Sequence, residues 1–123
     1  MNLELLSQEF SVLKYPAPLP PPSGIWFAAH TDSEFSLVCE SRFAPQGHCA
    51  REDGWRAFRV AGQLDFSLVG ILARITDVLG KGGISVFCVS TFDTDYVLVK
   101  SEKLGAAVDH LSRAGYEFIS SIC

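Results

Sequence analysis

Apolar and polar positions in the second half of the chain repeat with two successive periods. Residues 55–61 alternate, which is typical of a strand with one buried face. Apolar residues from 68 to 79 then recur at helical spacing, Ser67 is a suitable N-cap, and a glycine cluster at 80–83 stops the run. The pattern therefore predicts a strand, a short loop over 62–66 and a helix.

A hairpin, a second helix and a last strand are predicted next. Residues 84–92 and 95–99 are β-branched and aromatic, with turn chemistry between them. A second amphipathic run begins at Ser101 and ends at Gly115, and residues 116–119 have the composition of a strand. The order β-α-β-β-α-β predicts an α+β, ferredoxin-like fold with both helices on one face of an antiparallel sheet.

The first half of the chain has a different pattern. Residues 5–15 are compatible with a strand, and the proline segment, defined as residues 16–22, excludes a helix after it. Residues 24–30 and 34–39 form a predicted hairpin.

The two predicted hairpins resemble each other, which suggests a worn internal repeat of about 60 residues. A chance similarity between two polar turns is the alternative. The repeat gives a first unit over residues 1–50 and a second over 54–123, with a linker at 43–53. The alignment pairs Gly24-Ile25 with Gly83-Ile84, Asp32 with Asp93, and Leu37-Val38 with Leu98-Val99.

Composition and charge exclude several classes of function. The net charge of −4 and scattered basic residues argue against nucleic-acid binding, and no apolar run approaches the ~20 residues that span a bilayer. The first residues lack the pattern of a secretory signal, so we expect a cytoplasmic protein. The four cysteines form no C-x-x-C pair, and His48-Cys49 is the one adjacent pair of ligand type. We expect neither a metal nor a cofactor.

No catalytic motif stands out. The sequence contains no G-x-S-x-G elbow, no phosphate-binding loop and no dinucleotide glycine pattern, and none of its three histidines lies in a motif with a nucleophile. We therefore expect a protein that is not an enzyme.

Several motifs together resemble one family, the bacterial ACT-domain proteins related to the CASTOR arginine sensors. The resemblance covers residues 54–119, and it implies a degenerate N-terminal ACT-like repeat before the ACT domain. It also implies a homodimer and a small ligand, with an amino acid expected, bound between units. The motifs are Gly54-Trp55-Arg-Ala-Phe, Gly62-Gln-Leu-Asp-Phe-Ser, Gly70-Ile-Leu-Ala, Gly83-Ile-Ser and the run from Val89 to Val99.

A site for a free amino acid can be assigned to residues around the first helix and the second hairpin. The N–H groups at the helix start suit a carboxylate, and acidic groups suit an ammonium. Asp65 and Ser67 have ordinary capping as their alternative role, and Gly70 has tight helix packing. The expected ligand-binding residues are Asp65, Ser67, Leu68, Val69, Gly70, Thr91, Phe92 and Asp95.

A second functional class stays open at this stage. A protein-interaction or oligomerisation module without a ligand would use Trp26, Phe27 and Trp55 as interface anchors, because aromatic residues dominate such contacts.

Overall fold

The computed structural model describes residues 1–62 and 70–120. The strands are β1 (Asn2–Tyr15), β2 (Trp26–His30), β3 (Phe35–Glu40), β4 (Ala50–Val60), β5 (Val86–Ser90), β6 (Asp95–Lys100) and β7 (Glu117–Ser120). The helices are α1 (Ile71–Lys81) and α2 (Leu104–Arg113), and two 3-10 turns cover Ser41–Phe43 and Ser101–Lys103. None of the helices described is long and apolar enough to cross a membrane.

The chain divides into two compact units. The larger unit holds Met1–Ser7 and Arg56–Cys123, and the smaller unit holds Gln8–Trp55. Sequence analysis drew the division between residues 50 and 54 and gave the first residues to the N-terminal unit. The first seven residues join the larger unit because Asn2 to Leu5 pair with β7 and Leu3 is fully buried in its core.

The larger unit has the predicted β-α-β-β-α-β order in β4, α1, β5, β6, α2 and β7. Its strands lie in the order β7-β1-β4-β6-β5. Two features differ from the expected antiparallel sheet: the start of β1 lies between β7 and β4, and β7 pairs with β1 in parallel. The expected helices and hairpin are present. The additional strand, the start of β1, comes from a distant part of the chain.

One apolar cluster forms the core of the larger unit. Both helices contribute to it, α1 through Ile71, Ile75 and Leu79, and α2 through Ala107 and Leu111. The sheet contributes Leu3, Phe58, Val60, Val97 and Val99, and Ile84 completes the buried set. These positions carry the helical and alternating periods of the sequence, which is why the pattern predicted the elements.

The smaller unit is a β-structure whose strands lie in the order β2-β3-β1-β4. Its buried cluster contains Leu13, Tyr15, Leu37 and Cys39, and Leu19 of the proline segment packs against it. The linker expected over 43–53 is shorter than the sequence suggested, because β4 begins at Ala50. The start of β4 was not recognised from the sequence, because residues 50–53 are exposed and lack the alternation of a half-buried strand.

The two hairpins have the same register 60 residues apart. Trp26 pairs with Cys39 as Val86 pairs with Val99, and the pairing continues in step to His30 with Phe35 and Ser90 with Asp95. A 3-10 turn follows each hairpin at the same offset. The alignment by sequence paired residues 59 or 61 positions apart, and not 60, because it matched similar residue types and not the strand pairing.

A polar cluster in the smaller unit joins β1, β4 and the 3-10 turn at Ser41–Phe43. The Ser11 hydroxyl is fully buried and donates to Asp53 Oδ1, and Ser41 Oγ lies 2.7 Å from Ser11 Oγ. Since the Ser11 proton goes to the carboxylate, Ser41 donates to Ser11. Arg51 Nε lies 2.7 Å from Asp53 Oδ1. The hydrogen bond from Ser11, followed by that from Arg51, lowers the pKa of Asp53 below its ordinary value of 3.8.

Replacing Ser11 by alanine should weaken this cluster in a pH-dependent way. A carboxyl whose pKa is lowered by folding stabilises the protein above its unfolded pKa, and this contribution disappears as the pH falls through the folded value. We expect Ser11→Ala to cost about 1 kcal/mol at pH 7, less than is usual for a bond to a charged group, because Asp53 is exposed. Urea unfolding at pH 7 and pH 3 should show a smaller loss at pH 3.

Ser36→Ala is the matched control for that measurement. Ser36 also donates to a carboxylate, that of Glu34, but the pair is exposed, so the variant should unfold like the wild type at both pH values. An equal loss for Ser11→Ala at pH 7 and pH 3 would contradict the assigned role of Asp53.

Candidate functional site

Several elements of the larger unit begin or end at the same end of its sheet. β4 ends there at Val60 and β6 begins there at Asp95, because Thr94, directly before β6, is hydrogen-bonded to the Val60 carbonyl. The start of β1 lies there too, because the Ala61 N–H donates to the Asn2 carbonyl at 3.0 Å. α1 begins and α2 ends at this end of the unit. The candidate site is therefore formed by loops and termini of several elements.

The tip of the β5–β6 hairpin is a closed four-residue turn. The Thr91 N–H donates to the Thr94 carbonyl at 2.8 Å, and Thr91 Oγ1 donates to the same carbonyl at 3.1 Å. Thr94 Oγ1 in turn donates to the Val60 carbonyl at 2.9 Å. This last bond ties the tip to the end of β4, three residues before the segment 63–69.

Asp95 is partly engaged by its own hairpin. The Ser90 hydroxyl donates to Asp95 Oδ1 at 2.6 Å across the strand pair. Burial raises the pKa of the Cys88 thiol, and the negative charge of Asp95 raises it further. The Asp95 carboxylate thus lies at the tip end of the hairpin, and the Ser90 hydroxyl orients one of its two oxygens.

Helix α1 begins later than the sequence suggested. Its N-cap is Gly70, with φ +76°, and Ile71 is the first helical residue. The assignment of Ser67 as N-cap of this helix was therefore wrong. Glycine suits the N-cap position here because it adopts the left-handed conformation without strain. Tight packing does not explain this glycine either, because a Cβ built there would meet no described atom within 4 Å.

The predicted ligand residues fall into three groups. Gly70 lies at the start of α1, where an added Cβ would meet no described atom within 4 Å. The hairpin residues Thr91, Phe92 and Asp95 lie within or beside one turn, and the Phe92 ring is 76% exposed. The other four, Asp65, Ser67, Leu68 and Val69, lie outside the described residues.

A pocket of about 220 Å³ opens at the same end of the unit. Its walls come from the first turn of α1, through Ile71 and Arg74, and from the chain that leaves α2. Among the described residues, no side chain caps α1, and its first turn contains no acidic residue. The N–H groups of this turn and the Arg74 guanidinium together give the pocket a positive character.

Sequence reasoning missed three contributors to this end of the unit. Thr94 lies in the predicted turn between residues 92 and 95, and Arg74 is a polar position of the predicted first helix; neither was expected to contribute to a site. Arg59 was passed over as the polar member of an alternating strand, yet it donates to both carboxylate oxygens of Glu4, at 3.0 and 3.2 Å, and to the Tyr96 hydroxyl at 2.9 Å. This group connects β1, β4 and β6, and no local pattern signals a contact between such distant residues.

The larger unit, with two helices packed on one face of a β-sheet and loops gathered at one end, is an α+β domain of the ferredoxin-like class. Residues 50–113 match the family model described as the ACT domain. The match spans more than half of the chain, and the protein belongs to the ACT domain family. ACT domains are regulatory modules that bind small molecules such as amino acids.

Comparison with known proteins gives relatives of two kinds. The mouse protein named cytosolic arginine sensor for mTORC1 subunit 1 is 40% identical over 60 residues, which are 48% of this chain and 18% of that protein. The chain thus spans less than a fifth of the length of that relative. A crystal structure of a protein from Agobacterium tumefaciens covers 99% of this chain and 94% of its own, with TM-score 0.88 and 29% identity.

A further structural neighbour shares the fold alone. The regulatory subunit of aspartate kinase from Thermus thermophilus has TM-score 0.68 at 10% identity and covers 92% of this chain and 96% of its own.

Proposed function

We propose that this protein is a regulatory ligand sensor, without catalytic chemistry, that binds a free amino acid at the described end of the larger unit. The observation that carries the proposal is the position, at one end of the unit, of both the start of α1 and the hairpin tip that Thr94 ties to β4. Membership of the ACT domain family supports it. The eight residues named from the sequence remain the proposed ligand contacts.

The two charges of an amino acid have complementary groups at this end. A carboxylate is stabilised by unpaired N–H groups at a helix start and by a nearby cation, here Arg74. An ammonium or guanidinium suits the Asp95 carboxylate, whose second oxygen can accept further hydrogen bonds. Because the mouse relative is named an arginine sensor, arginine is the first ligand to test.

We also propose the tandem ACT-like organisation, with a degenerate first unit over 1–50 and an ACT domain over 54–123. The common register of the two hairpins, 60 residues apart, supports it. A homodimer and a cytoplasmic location complete the proposal, and the word cytosolic in the name of the mouse relative supports the latter.

Thermal unfolding against a panel of amino acids tests the ligand. A ligand bound only by the native state adds about 2.7 kcal/mol at a hundredfold excess over its Kd, so the Tm should rise with one or a few amino acids. Asp95→Asn should remove most of that rise, because the ligand cation loses its charged partner. Asp93→Asn, two residues away in the turn, is the matched control and should leave the rise intact.

A panel in which no amino acid changes the Tm would overturn the sensor proposal. The remaining candidate is then a protein-interaction module, which the exposure of Trp26, at 40%, favours. Trp55 is a poor interface anchor, because its side chain is only 9% exposed.

A further inference from the structure

An open pocket in the smaller unit has walls of apolar side chains. It measures about 250 Å³ and lies between residues 19–22 of the proline segment and the β2–β3 hairpin. Trp26, Ala28, Phe35 and Leu37 form the hairpin side, and Trp26 is 40% exposed. This pocket shares no residue with the end of the larger unit where an amino acid is proposed to bind.

The pocket occupies a sheet face that a helix covers in the larger unit. Ala28 and Leu37 correspond, 60 residues later, to Cys88 and Val97, which pack in the core that both helices share. The smaller unit has the proline segment after β1, and its prolines cannot continue a helix. The segment covers the face less completely than a helix would, and apolar surface remains accessible.

The pocket is held open by anchors on both sides of the proline segment. Before it, the Tyr15 hydroxyl donates to the Pro45 carbonyl at 2.6 Å. Within it, Leu19 packs on the buried cluster, and after it the Ile25 N–H donates to the buried Glu40 carboxylate at 2.7 Å. Proline also restricts the backbone between the anchors. A wall fixed in this way resists collapse and requires little ordering when a ligand binds.

We propose that this pocket binds a small neutral molecule carrying one aromatic ring. The described lining residues carry no charge, so a charged ligand would lose hydration without a partner, and complementarity favours a neutral one. An apolar cavity of about 150 Å³ in another protein accepts benzene, and this pocket is larger. The Trp26 ring provides an aromatic surface for edge-to-face or offset stacking.

Two-dimensional proton–nitrogen NMR with toluene as the probe tests the proposal. The two indole N–H signals serve as reporter and reference, because Trp26 lines the pocket and Trp55 does not. The Trp26 signal should shift and saturate as toluene is added, while the Trp55 signal stays in place. Benzoate and benzylammonium should bind at least tenfold more weakly, since each brings a charge to the same ring.

Neighbouring alanines on β2 provide matched variants. Ala28 lines the pocket, whereas Ala29 points to the other face of the strand. Ala28→Leu should fill the pocket and abolish the saturable shift, and Ala29→Leu should leave it unchanged. If Ala28→Leu does not fold, Ala28→Val should still weaken toluene binding.

Three results would overturn the proposal. The first is a Trp26 signal that never saturates up to the solubility of toluene, and the second is a shift that Ala28→Leu leaves intact. The third is equal binding of benzoate, which would contradict the requirement for a neutral ligand.

Discussion

Truncating Phe58 to alanine is expected to lower the free energy of unfolding by about 3–5 kcal/mol, the range for a large aromatic removed from a core. The Phe58 side chain is fully buried in β4 within the cluster that both helices of the larger unit share. Its ring also meets Phe118 edge to face, with centroids 5.5 Å apart. The variant loses buried area, leaves a cavity and removes that ring contact. Urea unfolding followed by circular dichroism measures the loss.

Phe92→Ala is the matched control, because it removes the same ring from an exposed position. The Phe92 ring is 76% exposed, so its loss should change the free energy of unfolding by less than about 0.5 kcal/mol. The same variant also addresses the proposed site: with an amino acid that raises the wild-type Tm, it should reduce the rise. A loss below about 1 kcal/mol for Phe58→Ala would contradict the central place of that ring in the core.

Replacing Gly24 by alanine should lower the free energy of unfolding by about 3 kcal/mol, and this loss has two separate causes. The residue has φ +77°, where a side chain is strained by about 1–2 kcal/mol. An added Cβ would also overlap the carboxylate of Glu40, which is 2% exposed. Moving that carboxylate breaks its bonds to the Ile25 N–H and to Arg42, and a buried charge is left with fewer partners.

Gly47→Ala separates the two causes. Gly47 has φ +93°, but a Cβ there would meet no described atom within 4 Å. Its replacement should show only the backbone strain, so Gly24→Ala should be worse by at least about 1.5 kcal/mol in chemical denaturation. The double variant with Glu40→Ala should cost less than the sum of the single variants, because the overlap is gone. Equal costs at the two glycines would refute the assigned clash.

The elements with a strong local period could be predicted well. α1 and α2 carry apolar stripes, and β5 and β6 are β-branched with turn residues between them, so each element depends on residues close in sequence. The start of α1 was misplaced, because a serine and a glycine both suit the beginning of a helix. The choice of Gly70 depends on its left-handed φ, which no pattern of apolar residues encodes.

The candidate site was predictable only in part for a similar reason. Thr91, Phe92 and Asp95 share one turn, and their proximity follows from the chain itself. The role of Thr94 depends on a bond to the carbonyl of Val60, 34 residues away. The group of Arg59, Glu4 and Tyr96 likewise joins three strands whose order in the sheet could not be read from the sequence.

The sequence by itself determined the local elements, the apolar face of each helix and the absence of a helix in the proline segment, because these depend on backbone preference and on periods of two or 3.6 residues. The tertiary structure alone decided that β1 enters the sheet of the larger unit between β7 and β4. It also decided that the proline segment leaves an apolar pocket on the smaller unit. Such features depend on contacts between residues far apart in the chain, whose free energy is gained only when the whole sheet is assembled.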